Sequence, residues 1–240
     1  MRRLVAQSRI ELLLTLRRGE SVLLTFAIPV VLLAFFSQVD VLPTGSGRPV
    51  DFLFPGVLAL AVMSTAMVSL AIATGFERQT GVLKRLGSTP LTRSELLGGK
   101  TIAMLVIEVL QIAVLVVEGL LLGFRFGAAS VGVALAGALL GTIAFAGLGL
   151  LMAGSLPALT TLAAANGLYL LLLLLGGMVI PLAKLPGGLR AVARLLPAGA
   201  LSDVFHRALG GGAVPGQAWV VLAAWAIAAP MAAAACFRWE

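Results

Sequence analysis

The chain has 240 residues, of which 60% are hydrophobic and only 11% charged, with a mean hydropathy of +1.08. A soluble domain of this size cannot enclose so much apolar surface, so the composition points to an all-α integral membrane protein. The net charge of +7 comes from basic residues at the ends of apolar runs, without interleaved aromatics. That is the pattern of topology determinants and argues against a nucleic-acid surface.

Residues 1–20 predict an interfacial helix. Arg2, Arg3, Arg9, Arg17 and Arg18 are interspersed with Leu4, Val5, Leu12 and Leu16, which share one side of a helix, while Ile10, Leu13 and Leu14 fall off that stripe. No short apolar core precedes a small-residue cleavage site, so the first run is expected to stay as an anchor. Apolar runs then predict spans over 21–39, with Pro29 inside, and 52–76, opening on Phe54-Pro55-Gly56. Further spans are predicted over 101–123, 130–152, 159–180 and 216–237. Each approaches or exceeds the roughly 17–25 residues that a crossing helix needs, whereas a β-barrel would show alternating segments of about ten. Residues 181–215 are too polar to span and too apolar for a linker, which predicts one or two short interfacial or re-entrant helices. Six spans put both termini on one side. The larger share of Lys and Arg then falls in cytoplasmic segments if the N-terminus is inside, giving N-in/C-in with 181–215 extracellular.

Residues 77–100 form a charged island between the second and third spans. Gly81 permits a sharp turn where the second span ends. Val82, Leu83 and Leu86 offer an apolar stripe on a short helix, with Lys84 and Arg85 alongside. Thr89-Pro90 reads as an N-cap with a first-turn proline that starts the next helix. An ordinary positive-inside loop would need none of these features.

Glu77-Arg78, Gly81, Leu83-Lys84-Arg85-Leu86, Thr89-Pro90-Leu91 and Leu97-Gly98-Gly99-Lys100 together resemble the signature of ABC-2 type transporter permeases, most closely the daunorubicin-resistance branch. Phe54-Pro55-Gly56, Pro29 and Leu196-Pro197 agree with that pattern, and the likeness in length and span order covers essentially the whole chain. The resemblance implies half of an exporter in a bacterial cytoplasmic membrane, paired with a second permease copy, most simply as a homodimer. It also implies two ABC ATPase subunits that carry the ATP and Mg, with no cofactor on this chain. Gly81 to Leu86 would be the coupling helix that docks on the ATPase, with Glu77, Arg78, Thr89, Pro90 and Lys100 fixing its geometry. The basic N-terminal helix would be a second ATPase contact. The chain itself carries no Walker loop: Gly98-Gly99-Lys100-Thr101 resembles the end of one, but Ser94 stands where the earlier glycine is required.

Other polar residues have structural and functional readings. Glu108 and Glu118 are costly in lipid; Glu108 is a candidate for the substrate path, and Glu118 is expected to pair with Arg125 seven residues on. Asn166 and Tyr169 are candidates for the same path or for interhelical hydrogen bonds. Gly137-x-x-x-Gly141 marks close helix packing. Asp203 and His206 could pair on one helix face with Ser202 turned away, a solvated face and not a hydrolase site. Single Cys236 and single His206 leave no metal or disulfide framework. The alternative of an ion-gradient transporter would need Glu108 and internal repeats, and no repeat is visible. Few charges and few aromatics suit an amphipathic or hydrophobic cargo such as a drug-like metabolite or lipid.

Overall fold

The computed structural model describes residues 2–17, 19–39, 48–82, 92–126 and 130–236. Among these residues the secondary structure is helical, with no strand. Helix α1 (Arg2–Arg17) is followed by α2 (Gly19–Gln38), α3 (Pro49–Gln79), α4 (Arg93–Leu121), α5 (Val131–Ser155) and α6 (Ala158–Leu175). A 3₁₀ turn (Leu182–Lys184) and two short helices, α7 (Gly187–Leu195) and α8 (Pro197–Gly210), precede α9 (Gly216–Cys236). In hydrocarbon each backbone N–H and C=O must be paired within the segment, and continuous helices achieve that.

Helices α3, α4, α5, α6 and α9 are long and apolar enough to cross a membrane. α2 (Gly19–Gln38) covers about 30 Å at 1.5 Å per residue and ends within two residues of the span expected over 21–39, and its fully described apolar stretch is Thr25–Gln38. α3 is the central helix: 72% of its apolar window is buried, against 22–44% for the other four. Around it, α5 packs on α3, α8 and α9, and α1 lies along α4.

Glycines on α5 set those approaches. A Cβ at Gly149 would lie 2.6 Å from the Met67 carbonyl oxygen of α3, and one at Gly147 would lie 2.5 Å from the Pro230 nitrogen of α9. Gly137 and Gly141 face Val204 and Leu201 of α8, so the expected close packing is made with a short helix, not a full span. α8 is buried from Pro197 to Val204 apart from Asp203, which places it inside the bundle rim, whereas α7 stays at the surface.

Several boundaries differ from the sequence reading. α3 begins at Pro49, with Arg48 bonded to Asp51 and to the Gly123 carbonyl, so Phe54-Pro55-Gly56 lies inside the helix. α4 begins at Arg93, capped by Thr92 and Glu95 in a reciprocal capping box. The helix of the third span thus starts at Arg93, three residues after the expected Thr89-Pro90, which lies outside the described residues, and Thr92-x-x-Glu95 satisfies two orphan N-terminal groups at once. α6 stops at Leu175, where Gly176 and a left-handed Gly177 (φ 69°) end the helix before residue 180. α1 turns Gln7, Ser8 and Glu11 inward, while Val5, Ile10, Leu13, Leu14 and Leu16 are exposed. Of the expected apolar stripe, Val5 and Leu16 are exposed and Leu4 and Leu12 are half-buried.

Gly149→Ala is expected to destabilise the protein by about 1–3 kcal/mol through overpacking of α5 on α3. Gly132→Ala, where a Cβ meets open space, serves as the control. Thermal unfolding in nanodiscs measures both.

Candidate functional site: a buried charge cluster where three helices meet

Gly98 and Gly99 are in the second turn of α4, and α1 lies against them. A Cβ at Gly99 would sit 2.8 Å from Gln7 Cγ, and one at Gly98 would sit 3.3 Å from Leu4 Cδ1. The absence of side chains there brings α1 close enough for Glu11 to reach Lys100. Lys100 is 1% exposed, and its Nζ donates to Glu11 Oε2 at 2.9 Å and to Glu77 Oε2 at 2.5 Å. Gln7 Nε2 donates to the other Glu11 oxygen at 2.7 Å. One ammonium therefore joins α1, the end of α3 and the start of α4. A buried ion pair is costly to desolvate, and removing one partner costs more than the pair itself contributes.

Arg78 clamps the neighbouring elements. Its Nη2 donates to the Leu156 carbonyl at 2.6 Å, in the two-residue connector between α5 and α6, while Nη1 is enclosed without a hydrogen-bond partner among the described residues. Thr161 Oγ1 approaches the carbonyls of Met152 and Leu156 at 3.3 and 3.2 Å, which ties the start of α6 to the end of α5. Just beyond, Gly81 has φ +73° and donates its N–H to the Arg78 carbonyl at 3.1 Å. The chain turns out of α3 there, and Val82 is exposed. Leu83, Lys84, Arg85, Leu86, Thr89 and Pro90 lie outside the described residues.

The intramembrane candidates separate. Both oxygens of Glu108, which is 1% exposed, lie 2.6–2.7 Å from Thr142 Oγ1 of α5, and that hydroxyl is 2.8 Å from the Ala138 carbonyl. Glu108 is thus paired within the bundle. Asn166 donates to Leu162 within α6, yet it and Tyr169 line a cavity of about 200 Å³ with Thr25, Ser64 and Ser69. This cavity shares Thr25, Val68 and Ser69 with a larger one of about 400 Å³ running toward Phe76 and Thr15. One wall of the combined groove is the π-helical stretch Ser64–Ser69, whose wider turn presents Ser64 and Ser69 to the groove. Thr65 bonds Gln111 at 2.8 Å, and Gln111 Nε2 reaches the Thr25 carbonyl at 2.7 Å, which ties α2, α3 and α4 together beside it.

Two expected pairs do not form. Glu118 makes no ion pair with Arg125, because α4 ends at Leu121 and a left-handed Gly123 (φ 87°) turns the chain away before Arg125. On α8 the imidazole of His206 meets Ser202, not Asp203: Nδ1 is 2.8 Å from the Ser202 carbonyl and 3.2 Å from its hydroxyl. The Ser202 hydroxyl also donates to the Gly177 carbonyl at 3.1 Å, so it anchors a loop. The sequence reading missed Gln7, Glu11, Gln111 and Thr142. Glu11 was detectable as the one carboxylate between Arg9 and Arg17, but its partner was not.

Lys100→Met removes the cation that two buried carboxylates share, and is expected to cost about 3–5 kcal/mol. The triple change Lys100→Met, Glu11→Leu, Glu77→Leu should recover most of that loss. Unfolding temperatures of the two variants in nanodiscs check both expectations.

No curated protein matches the chain. The family model described as "ABC-2 type transporter" matches residues 3–205, which include α1, the Lys100 cluster, the charged island and the groove. The chain belongs to the ABC-2 type transporter family and is a multi-pass transport permease.

Proposed function

We propose that the chain is the membrane subunit of an ATP-driven exporter, in which α2 completes a set of six spans with α3, α4, α5, α6 and α9. A separate ABC ATPase, two copies per assembly, holds ATP and Mg and docks on residues 81–86. Two permease copies form the pathway in a bacterial cytoplasmic membrane. The observation that carries this reading is the Lys100 cluster. A short segment leaving α3 at Gly81 and returning to α4 at Thr92 is rooted in two helices that one ammonium holds together. A load applied to that segment would pass to α1, α3 and α4 as one body. Glu77, Arg78, Thr89, Pro90 and Lys100 set the geometry of the segment, and Val82, Leu83, Lys84, Arg85 and Leu86 make the contact.

The groove beside the π-helical stretch is the proposed cargo path. Its lining mixes Thr25, Ser69, Asn166 and Tyr169 with Ile28, Val68, Ile72 and Phe76, which suits an amphipathic or hydrophobic molecule of the size of a drug-like metabolite or lipid. Glu108 is turned toward α5, away from this groove, which weighs against the ion-gradient alternative.

The tagged chain, purified from its native membranes in mild detergent, is expected to bring down a P-loop ATPase identified by mass and by ATP hydrolysis. Leu83→Asp with Leu86→Asp should abolish that association in protein that still elutes as a single species. Retention of ATPase and export by the double variant would sink the docking assignment.

In transport assays, Tyr169→Ala is expected to lower export several-fold while the ATPase still co-purifies. Glu108→Gln should export near the wild-type rate. Loss of export in Glu108→Gln, together with dependence on an ion gradient, would favour the alternative.

A further inference from the structure

The end of the bundle opposite the Lys100 cluster contains a polar cavity of about 440 Å³, walled by the 182–184 turn, α7, α8 and the first turn of α9. The two ends are far apart: Phe52, at this cavity, and Glu77 are separated along α3 by about 37 Å at 1.5 Å per residue. The charged and titratable groups lining the cavity are Arg190, Arg194, Arg207, Asp203 and His206. Burial pushes the His206 imidazole below its ordinary value, against the opposing pull of the Ser202 and Phe52 carbonyls and of Asp203. Three guanidinium groups therefore face a single carboxylate.

None of the three arginines makes an ion pair among the described residues. Arg190 Nη2 is committed to the carbonyls of Ala183 and Leu185, at 2.5 and 2.9 Å, while its Nε is enclosed with no acceptor among the described residues. Arg194 and Arg207 have no side-chain hydrogen bond among the described residues. Three cations gathered in a cavity with one carboxylate repel one another, and an anion held there relieves the repulsion.

The flank of the cavity says what carries the anion. On α7, Arg190 and Arg194 line the cavity, while Leu189, Val192 and Leu195 are 46%, 51% and 58% exposed. Trp225 Nε1 of α9 donates to the Leu195 carbonyl at 3.0 Å, which fixes α7 across a membrane-spanning helix. An amphipathic helix with an apolar outer face and an arginine inner face suits the boundary between acyl chains and headgroups. Guanidinium forks match phosphate oxygens in geometry and charge.

We propose that this cavity binds the phosphate of an anionic phospholipid, with the acyl chains lying over Leu189, Val192 and Leu195. The site requires only that the chain be embedded in a membrane, and is independent of cargo, transport direction and ATPase.

The test uses the full-length purified protein, with thermal unfolding and native mass spectrometry in the presence of phosphatidylglycerol, phosphatidylcholine or glycerol 3-phosphate. Phosphatidylglycerol is expected to raise the unfolding temperature more than phosphatidylcholine, and to be retained on the protein. Arg194→Gln with Arg207→Gln should raise the half-effective phosphatidylglycerol concentration about tenfold or more, the worth of one or two charge-assisted hydrogen bonds. Among the described residues those two side chains make no hydrogen bond or ion pair, so the variant should stay folded. Arg125→Gln, exposed at the same end but outside the cavity, should respond as wild type. An equal response to both lipids, or an equal loss in Arg125→Gln, overturns the site. An equal response to glycerol 3-phosphate overturns the lipid as the source of the phosphate.

Discussion

Lys100 is the constraint on which the rest of this end of the molecule depends. An ammonium buried in an apolar bundle is tolerable only where anions meet it, and here they come from two other helices. Glu11 arrives on α1 only because Gly98 and Gly99 leave room for it. Glu77 arrives at the last turns of α3, two residues after the Gly75 that faces Thr161 of α6. Withdrawing α4 would leave two carboxylates without their cation, and withdrawing α1 or α3 would remove one of the two anions that meet the ammonium, so α1, α3 and α4 resist separation. A rigid junction of this kind suits a point where force enters.

α3 faces two different environments. On the α5 side, backbone meets backbone at Gly149 and Met67, and there is no space to deform. On the α2 and α6 side, the π-helical stretch borders an open groove with scattered hydroxyls. The same six residues thus form a wall of the core and a wall of the cavity. Gln111 spans from Thr65 to the Thr25 carbonyl and links α2 and α3 through a fixed polar contact at the edge of the groove. Packing is tight on the α5 side of α3 and open on its α2 and α6 side.

The two ends of the bundle handle positive charge in opposite ways. At the α1 end the buried cation is shared by two carboxylates. At the α7 end three arginines surround a cavity with one carboxylate and without an ion pair among the described residues. The first arrangement is self-sufficient, as a structural joint must be. The second is incomplete without an anion from outside.

Much of the architecture was legible in the residues. Continuous apolar runs determine membrane helices, because only a helix satisfies its backbone in hydrocarbon, and the runs ended within a few residues of the observed helices. Gly81 announced a sharp turn, the 181–215 segment announced short helices, and the charged island carried the family signature. What the residues could not announce was partnership across distance. Glu11 and Lys100 are 89 positions apart, and Glu108 and Thr142 are 34 apart. Glu118 and Arg125 looked paired by spacing until Gly123 ended the helix between them. Periodicity specifies the direction of a side chain around its own helix. Which helix stands opposite is decided by how glycines and bulky residues let the helices approach, and that belongs to the tertiary structure alone.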